Sequence, residues 1–179
     1  MFFDIREYAL VMAQYNQWMN MNIFRAAALL DDQQRKIDCG LFFRSIHETL
    51  GHLLLSDRMW LHRFTGQPEV RVDNVDDAHF EAQKTKRFAL DCEILSWADS
   101  LSVSDSRKAL HYLSTVTNAT ETVDLSRAIL HFFNHQTHHR GQVTAALSQQ
   151  SVDFGITDLI FMPPCAWTET RPIKETREW

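Results

Sequence analysis

"SRAILHFFNHQTHHRGQVTAALSQ", residues 126–149, sets four of the chain's nine histidines within nine positions. Ile129, Leu130, Phe132, Phe133, Val143 and Leu147 return at helical spacing, and Asp124 or Ser126 can open the helix, which should reach about Gln149. His131, His135 and His139 recur every fourth residue, which keeps their side chains on nearly one face, and His138 lies beside the last of them. Such a stripe reads three ways: a metal site, a titrating surface, or an accident of composition.

Three more amphipathic segments precede it. Ile5, Tyr8, Met12, Tyr15 and Met19, with Leu29 and Leu30 beyond a more polar turn, predict a helix over 5–30, started by Asp4 and Glu7 in a capping-box pattern. "DDQQRKIDCG" reads as a loop. "FFRSIHETLGHLLLSDRMWLHRF", 42–64, predicts the second helix, stopped by Gly66 and Pro68, and "QPEVRVDNVDD" a polar connection. The third helix covers roughly 77–101, with Phe80, Phe88, Ile94, Leu95, Trp97 and Leu101. Residues 109–123 are rich in Thr, Val and Tyr and predict a short hairpin or extended loop. After residue 151, "GITDLIFMPPC" is apolar enough to pack on the body, and "WTETRPIKETREW" is a polar tail. Four long amphipathic segments predict an all-α four-helix bundle over 1–162, followed by a C-terminal tail over 163–179.

Composition narrows the function classes. The 179 residues suit one domain with a substantial core, and 45% apolar with 23% charged residues is ordinary for a globular chain. A net charge of -5, without a Lys/Arg cluster interleaved with aromatics, argues against nucleic acid as partner. Cys39, Cys92 and Cys165 are odd in number and form no CxxC pair, which suits a reducing, cytoplasmic compartment. "MFFDIREYAL" has no apolar signal-peptide core, and no run of about 18 apolar residues offers a membrane span.

A solitary histidine is ordinarily solvated, or a core imidazole with one hydrogen bond. His62, His79 and His111, without partners at ligand spacing, are read so, and His47 sits about 140° round the helix from His52, as a bystander. The pair His135 and His139 differs, because i, i+4 imidazoles can clamp one borderline ion such as Zn²⁺ or Ni²⁺. His131 cannot join both, since three ligands along about 12 Å of one helix do not reach one ion, and it reads as a neighbour or as the alternative partner of His135. The third ligand must come from another helix, and His52, mid-helix within "LGHLLL", is the best candidate.

At this point the sequence resembles a known family. "SIHETLGHLLLSDRMWLHRFTG", followed some seventy residues later by "FFNHQTHHRGQVTAAL", is similar to the DinB family of four-helix metalloproteins, as are "YNQWMN" and "GITDLIFM". Asn134 to Gln142, NHxxxHRGQ, is the most specific part. The resemblance implies an up-down-down-up bundle and a metal triad on His52, His135 and His139, with His138 not ligating. It also implies relatives that are metal-dependent hydrolases or users of small thiols, and frequent homodimers. Apolar faces left over on the first and third helices point to a dimer as well.

Three neutral imidazoles leave an ion dipositive and open to another ligand, the pattern of catalytic rather than structural zinc. Water bound there is acidified towards ~7 and a thiol is deprotonated. The chemistry expected is therefore hydrolysis, or thiol transfer or isomerisation with a low-molecular-weight thiol, on a small-molecule substrate. The alternative is a non-catalytic metal-binding stress-response protein. Glu48, one turn before His52, is a candidate general base or orienter, or a solvated carboxylate. Asp57 and Arg140 read as polar partners inside the bundle, and Asn16 with Asn20 as a pair at a pocket mouth or on the wet side.

Overall fold

A computed structural model describes residues 4–67, 79–114 and 117–164, and it is mostly helical. The long helices are α1 (Ile5–Ala27), α3 (Ile46–Thr65), α4 (Phe80–Ser100) and α5 (Leu125–Gln149), with a short α2 (Asp32–Lys36) between the first two. α1 and α3 each lie against both α4 and α5. Strands β1 (Ala109–Leu113) and β2 (Thr120–Asp124) pair antiparallel, with Ala109 opposite Asp124 and Leu113 opposite Thr120. Arg63 ties this hairpin to α3: its guanidinium lies over Trp60 and Tyr112 and donates to the Leu113 carbonyl at 3.0 Å. No helix among the described residues is long and apolar enough to cross a membrane.

Several boundaries depart from the sequence reading, each for a local reason. The first helix ends at Ala27, not Leu30, and the expected loop after it contains α2. Asp31 accepts from the Gln34 N–H while the Gln34 side chain caps Asp31 in return, so this D-x-x-Q starts a new helix. Arg35 then donates to the carbonyls of Ala27, the last residue of α1, and of Leu30, which ties α2 to the end of α1. Leu29 is turned out and Leu30 in. The second long helix starts at Ile46, not Phe42, because Arg44 adopts a left-handed φ of 67° and Ser45 caps the Glu48 N–H. The hairpin falls within the expected 109–123 to one residue, with Tyr112 in β1 and Thr122 and Val123 in β2 as its strand-forming residues. In the tail, Val152, Phe154 and Met162 pack on the body, whereas Ile156, Leu159, Ile160 and Phe161 stay exposed, against the expectation for that segment. Most of the polar connection, and the tail from residue 165 on, lie outside the described residues.

The core has two apolar clusters with a polar layer at the level between them. One gathers Leu54, Trp60, Ile94, Trp97, Phe132 and Phe133, the other Met19, Phe24, Ile46, Leu50, Val143 and Leu147. Along α5 the first ends at Phe133 and the second begins at Val143, and the buried residues between are Gln136, His139 and Arg140. The other helices meet that level with polar groups too. Arg87 pairs with Asp57 at 2.6 Å and with Asp91 at 2.8 Å. Asn16 and Asn20 each donate to Asp91 at 3.0 Å, and Arg140 donates to the Asn16 side chain. Asn16 and Asn20 are therefore buried, not at a pocket mouth or on a wet side. Asp57 and Arg140 do act as internal polar partners, Asp57 of Arg87 and Arg140 of Asn16, and Asp91 joins them through Arg87 and Asn16. Burial pushes the Asp57 carboxyl up despite Arg87, and Asp91 up to about 6, while Arg140 is lowered to about 10 by the same desolvation.

Candidate metal centre

The packing of α3 on α5 brings His52 to the pair His135 and His139. His52 Nε2 lies 3.2 Å from His135 Nε2, and one ligand atom from each of the three imidazoles falls within 4.8 Å of the others. Two nitrogens about 2.0–2.1 Å from one tetrahedral ion stand roughly 3.3 Å apart, so the 3.2 Å separation fits a shared ion. The rings are canted, with centroids 4.5 Å apart for His135 and His139 and 4.8 Å for His52 and His139. These three histidines form a group that can hold a metal ion.

The site favours neutral imidazole, the form that ligates. Burial lowers His52 to about 4, helped by His139, and lowers His135 to about 4, helped by His139, His52 and other neighbouring histidines. Two residues without ligand nitrogens of their own at the triad brace it. The Phe43 ring stacks on His52 at 3.8 Å and 21°, brought there by the turn at Arg44. Gln142 Oε1 lies 2.8 Å from His139 Nδ1, leaving Nε2 as that ring's free nitrogen. Gln142 stands in the motif quoted from the sequence but had been given no role. Its spacing of three from His139 was the available signal. Phe43 had none, since its place follows from a left-handed residue.

The other histidines separate as follows. His131 lies 6.0 Å from His135, ring to ring, but also 5.2 Å from the Trp60 ring, outside the converging set. His138 is exposed beside His139, 4.8 Å away. His47 is a buried imidazole 3.3 Å from Gln83 Nε2. His111 pairs with the Thr122 hydroxyl at 2.8 Å across the hairpin. Glu48 sits in the first turn of α3 with its side chain exposed.

Comparison with known proteins gives a family match over most of the chain. The sequence model of the DinB family matches residues 5–171. Protein DinB of Bacillus subtilis (strain 168) is 27% identical over 163 residues, covering 85% of this chain and 91% of that protein.

Proposed function

The chain belongs to the DinB family, and on that footing we propose that it is a metal-dependent enzyme whose four long helices form an up-down-down-up bundle around one divalent transition ion. His52, His135 and His139 hold the ion, Zn²⁺ or Ni²⁺, between which imidazole ligands discriminate poorly. The carrying observation is the convergence of three imidazoles from two helices, two of them held neutral by burial. With three protein ligands, a bound ion has a position left to acidify water or a small thiol, which makes the activity a hydrolysis or a thiol transfer or isomerisation. The chain's own part is to hold the donor nitrogens at fixed separation, to keep them deprotonated, and to wall the site with Phe43. To Glu48, one turn before His52 and exposed, we assign the role of general base towards an incoming nucleophile, or of orienter of His52.

The test is a panel of low-molecular-weight thiols and activated esters and amides, assayed with metal-free and metal-loaded protein. A metal-dependent rate lost in His139→Ala, and reduced with metal retained in Glu48→Gln, supports the enzyme. A fourth protein ligand closing the ion's coordination, seen by X-ray absorption, overturns it in favour of a non-catalytic metal-binding protein. We place the enzyme in the cytoplasm as a homodimer. The exposed apolar side chains available for a dimer include Phe42, Ile160 and Phe161; α4 shows no large exposed apolar residue among those described, contrary to the basis expected from the sequence. Sedimentation showing only a species of 20.9 kDa at micromolar concentration refutes the dimer.

A further inference from the structure

Gln142 stands between two histidines of its own helix. Its Oε1 lies 2.8 Å from His139 Nδ1, and its Nε2 lies 3.4 Å from His138 Nε2. Spacings of three and four residues bring both rings within reach of one carboxamide. That group has one accepting end and one donating end, so it imposes a direction on both neighbours. As it sits, Oε1 accepts the Nδ1 proton of His139, and the amide N–H donates to the bare Nε2 of His138. His139 then carries its proton on Nδ1 and offers a lone pair at Nε2. Turned end for end, the amide N–H would donate to His139 Nδ1, the ring proton would sit on Nε2, and Nε2 would not be a ligand.

The other two imidazoles have no such brace. Among the described residues no hydrogen bond reaches Nδ1 of His52 or of His135, and His52 is held instead by stacking on Phe43. The tautomer of His139 is thus the one point where a neighbour decides whether the third donor exists. His139 is also the most buried of the three, so water is least able to substitute for a lost partner.

We infer that Gln142 is the positioning residue that fixes His139 as an Nε2 donor, with His138 setting which way round its carboxamide sits; this rests on the metal site proposed above. Because the inference concerns a tautomer, it can be read with or without an ion. The full-length chain, labelled with ¹⁵N-histidine, is examined metal-free by two-bond nitrogen–proton correlation and then titrated with zinc against a chromophoric chelator. The wild-type chain should show His139 protonated on Nδ1. Gln142→Ala should shift it towards the Nε2–H form and weaken zinc binding about 10–100-fold, the usual cost of losing an outer partner of a metal-bound imidazole. Gln142→Glu supplies an acceptor in the same place and should restore the Nδ1–H form and the affinity. His138→Ala should lower affinity less than Gln142→Ala, since the stronger 2.8 Å contact remains. Gln142 is half-buried on the helix, and circular dichroism checks that each variant folds. An Nε2–H His139 in the metal-free wild type, or unchanged zinc affinity in Gln142→Ala, overturns the inference. A wild-type chain that binds neither zinc nor nickel refutes the metal site instead, and the tautomer measurement still decides the role of Gln142.

Discussion

Replacing Arg87 with methionine keeps most of the side chain's length and removes the charge lying 2.6 Å from Asp57 and 2.8 Å from Asp91. All three residues are 1% exposed, so water cannot take the guanidinium's place. A carboxylate stranded there takes up a proton rather than stay charged. Asp91 keeps both Asn16 and Asn20 as donors and Asp57 keeps Gln136, so Asp57 bears most of the change. Holding a carboxyl with an ordinary value of 3.8 protonated at pH 7 costs about 4.4 kcal/mol, at about 1.36 kcal/mol per pH unit. That agrees with the ~3–5 kcal/mol found when one partner of a buried ion pair is removed. At pH 5 the same neutralisation costs only about 1.6 kcal/mol, so the deficit of the variant should narrow by up to about 2.7 kcal/mol, less whatever the raised Asp57 already costs the wild type. Urea unfolding of wild type and Arg87→Met, followed by circular dichroism at both pH values, measures this. A loss under about 1 kcal/mol at pH 7, far below the ~3–5 kcal/mol for a stranded partner, or an equal loss at both pH values, refutes the reasoning.

His135→Ala and His52→Ala should abolish stoichiometric metal by elemental analysis, whereas His131→Ala and His138→Ala should keep it; metal loss in His131→Ala but not in His52→Ala would show that the triad is wrong. In the metal-free protein, His52 and His135 titrate near 4 when folded against an ordinary 6.5, so the unfolded chain binds more protons between those values. Stability should therefore fall as pH drops from about 6.5 towards 4, and the double variant His52→Gln, His135→Gln should show a shallower fall in melting temperature. Phe132, 1% exposed and 5.5 Å from Phe64, should cost about 3–5 kcal/mol when changed to Ala, measured by urea unfolding. A loss below about 1 kcal/mol would place that ring outside the core.

Helix class was legible in this chain because amphipathic spacing is a local property, written along 5–27, 46–65 and 125–149; along 80–100 it is faint, because the inward face carries Gln83, Arg87 and Asp91 beside its apolar residues. The hairpin was legible for the same reason, through Tyr112 in β1 and the β-branched Thr120, Thr122 and Val123 in β2. Two of the three converging imidazoles followed from helical geometry alone, since residues four apart on one helix share a face whatever surrounds them. His52 required a choice among helices, made on its mid-helix place within an apolar stretch and matched by the family resemblance; only the packing of α3 on α5 brings it beside the pair. Other features were decided only by tertiary structure. Arg44 turns left-handed and swings Phe43 onto His52, a consequence of chain reversal before α3 that no periodicity encodes. Asn16, Asn20 and Asp91 look like surface residues in a one-dimensional reading, yet four helices close over them and Arg87 makes their burial tolerable. A polar residue's letter gives its desolvation cost. Whether that cost is offset depends on partners up to 124 residues away, as between Arg140 and Asn16, and only the packed helices bring those together.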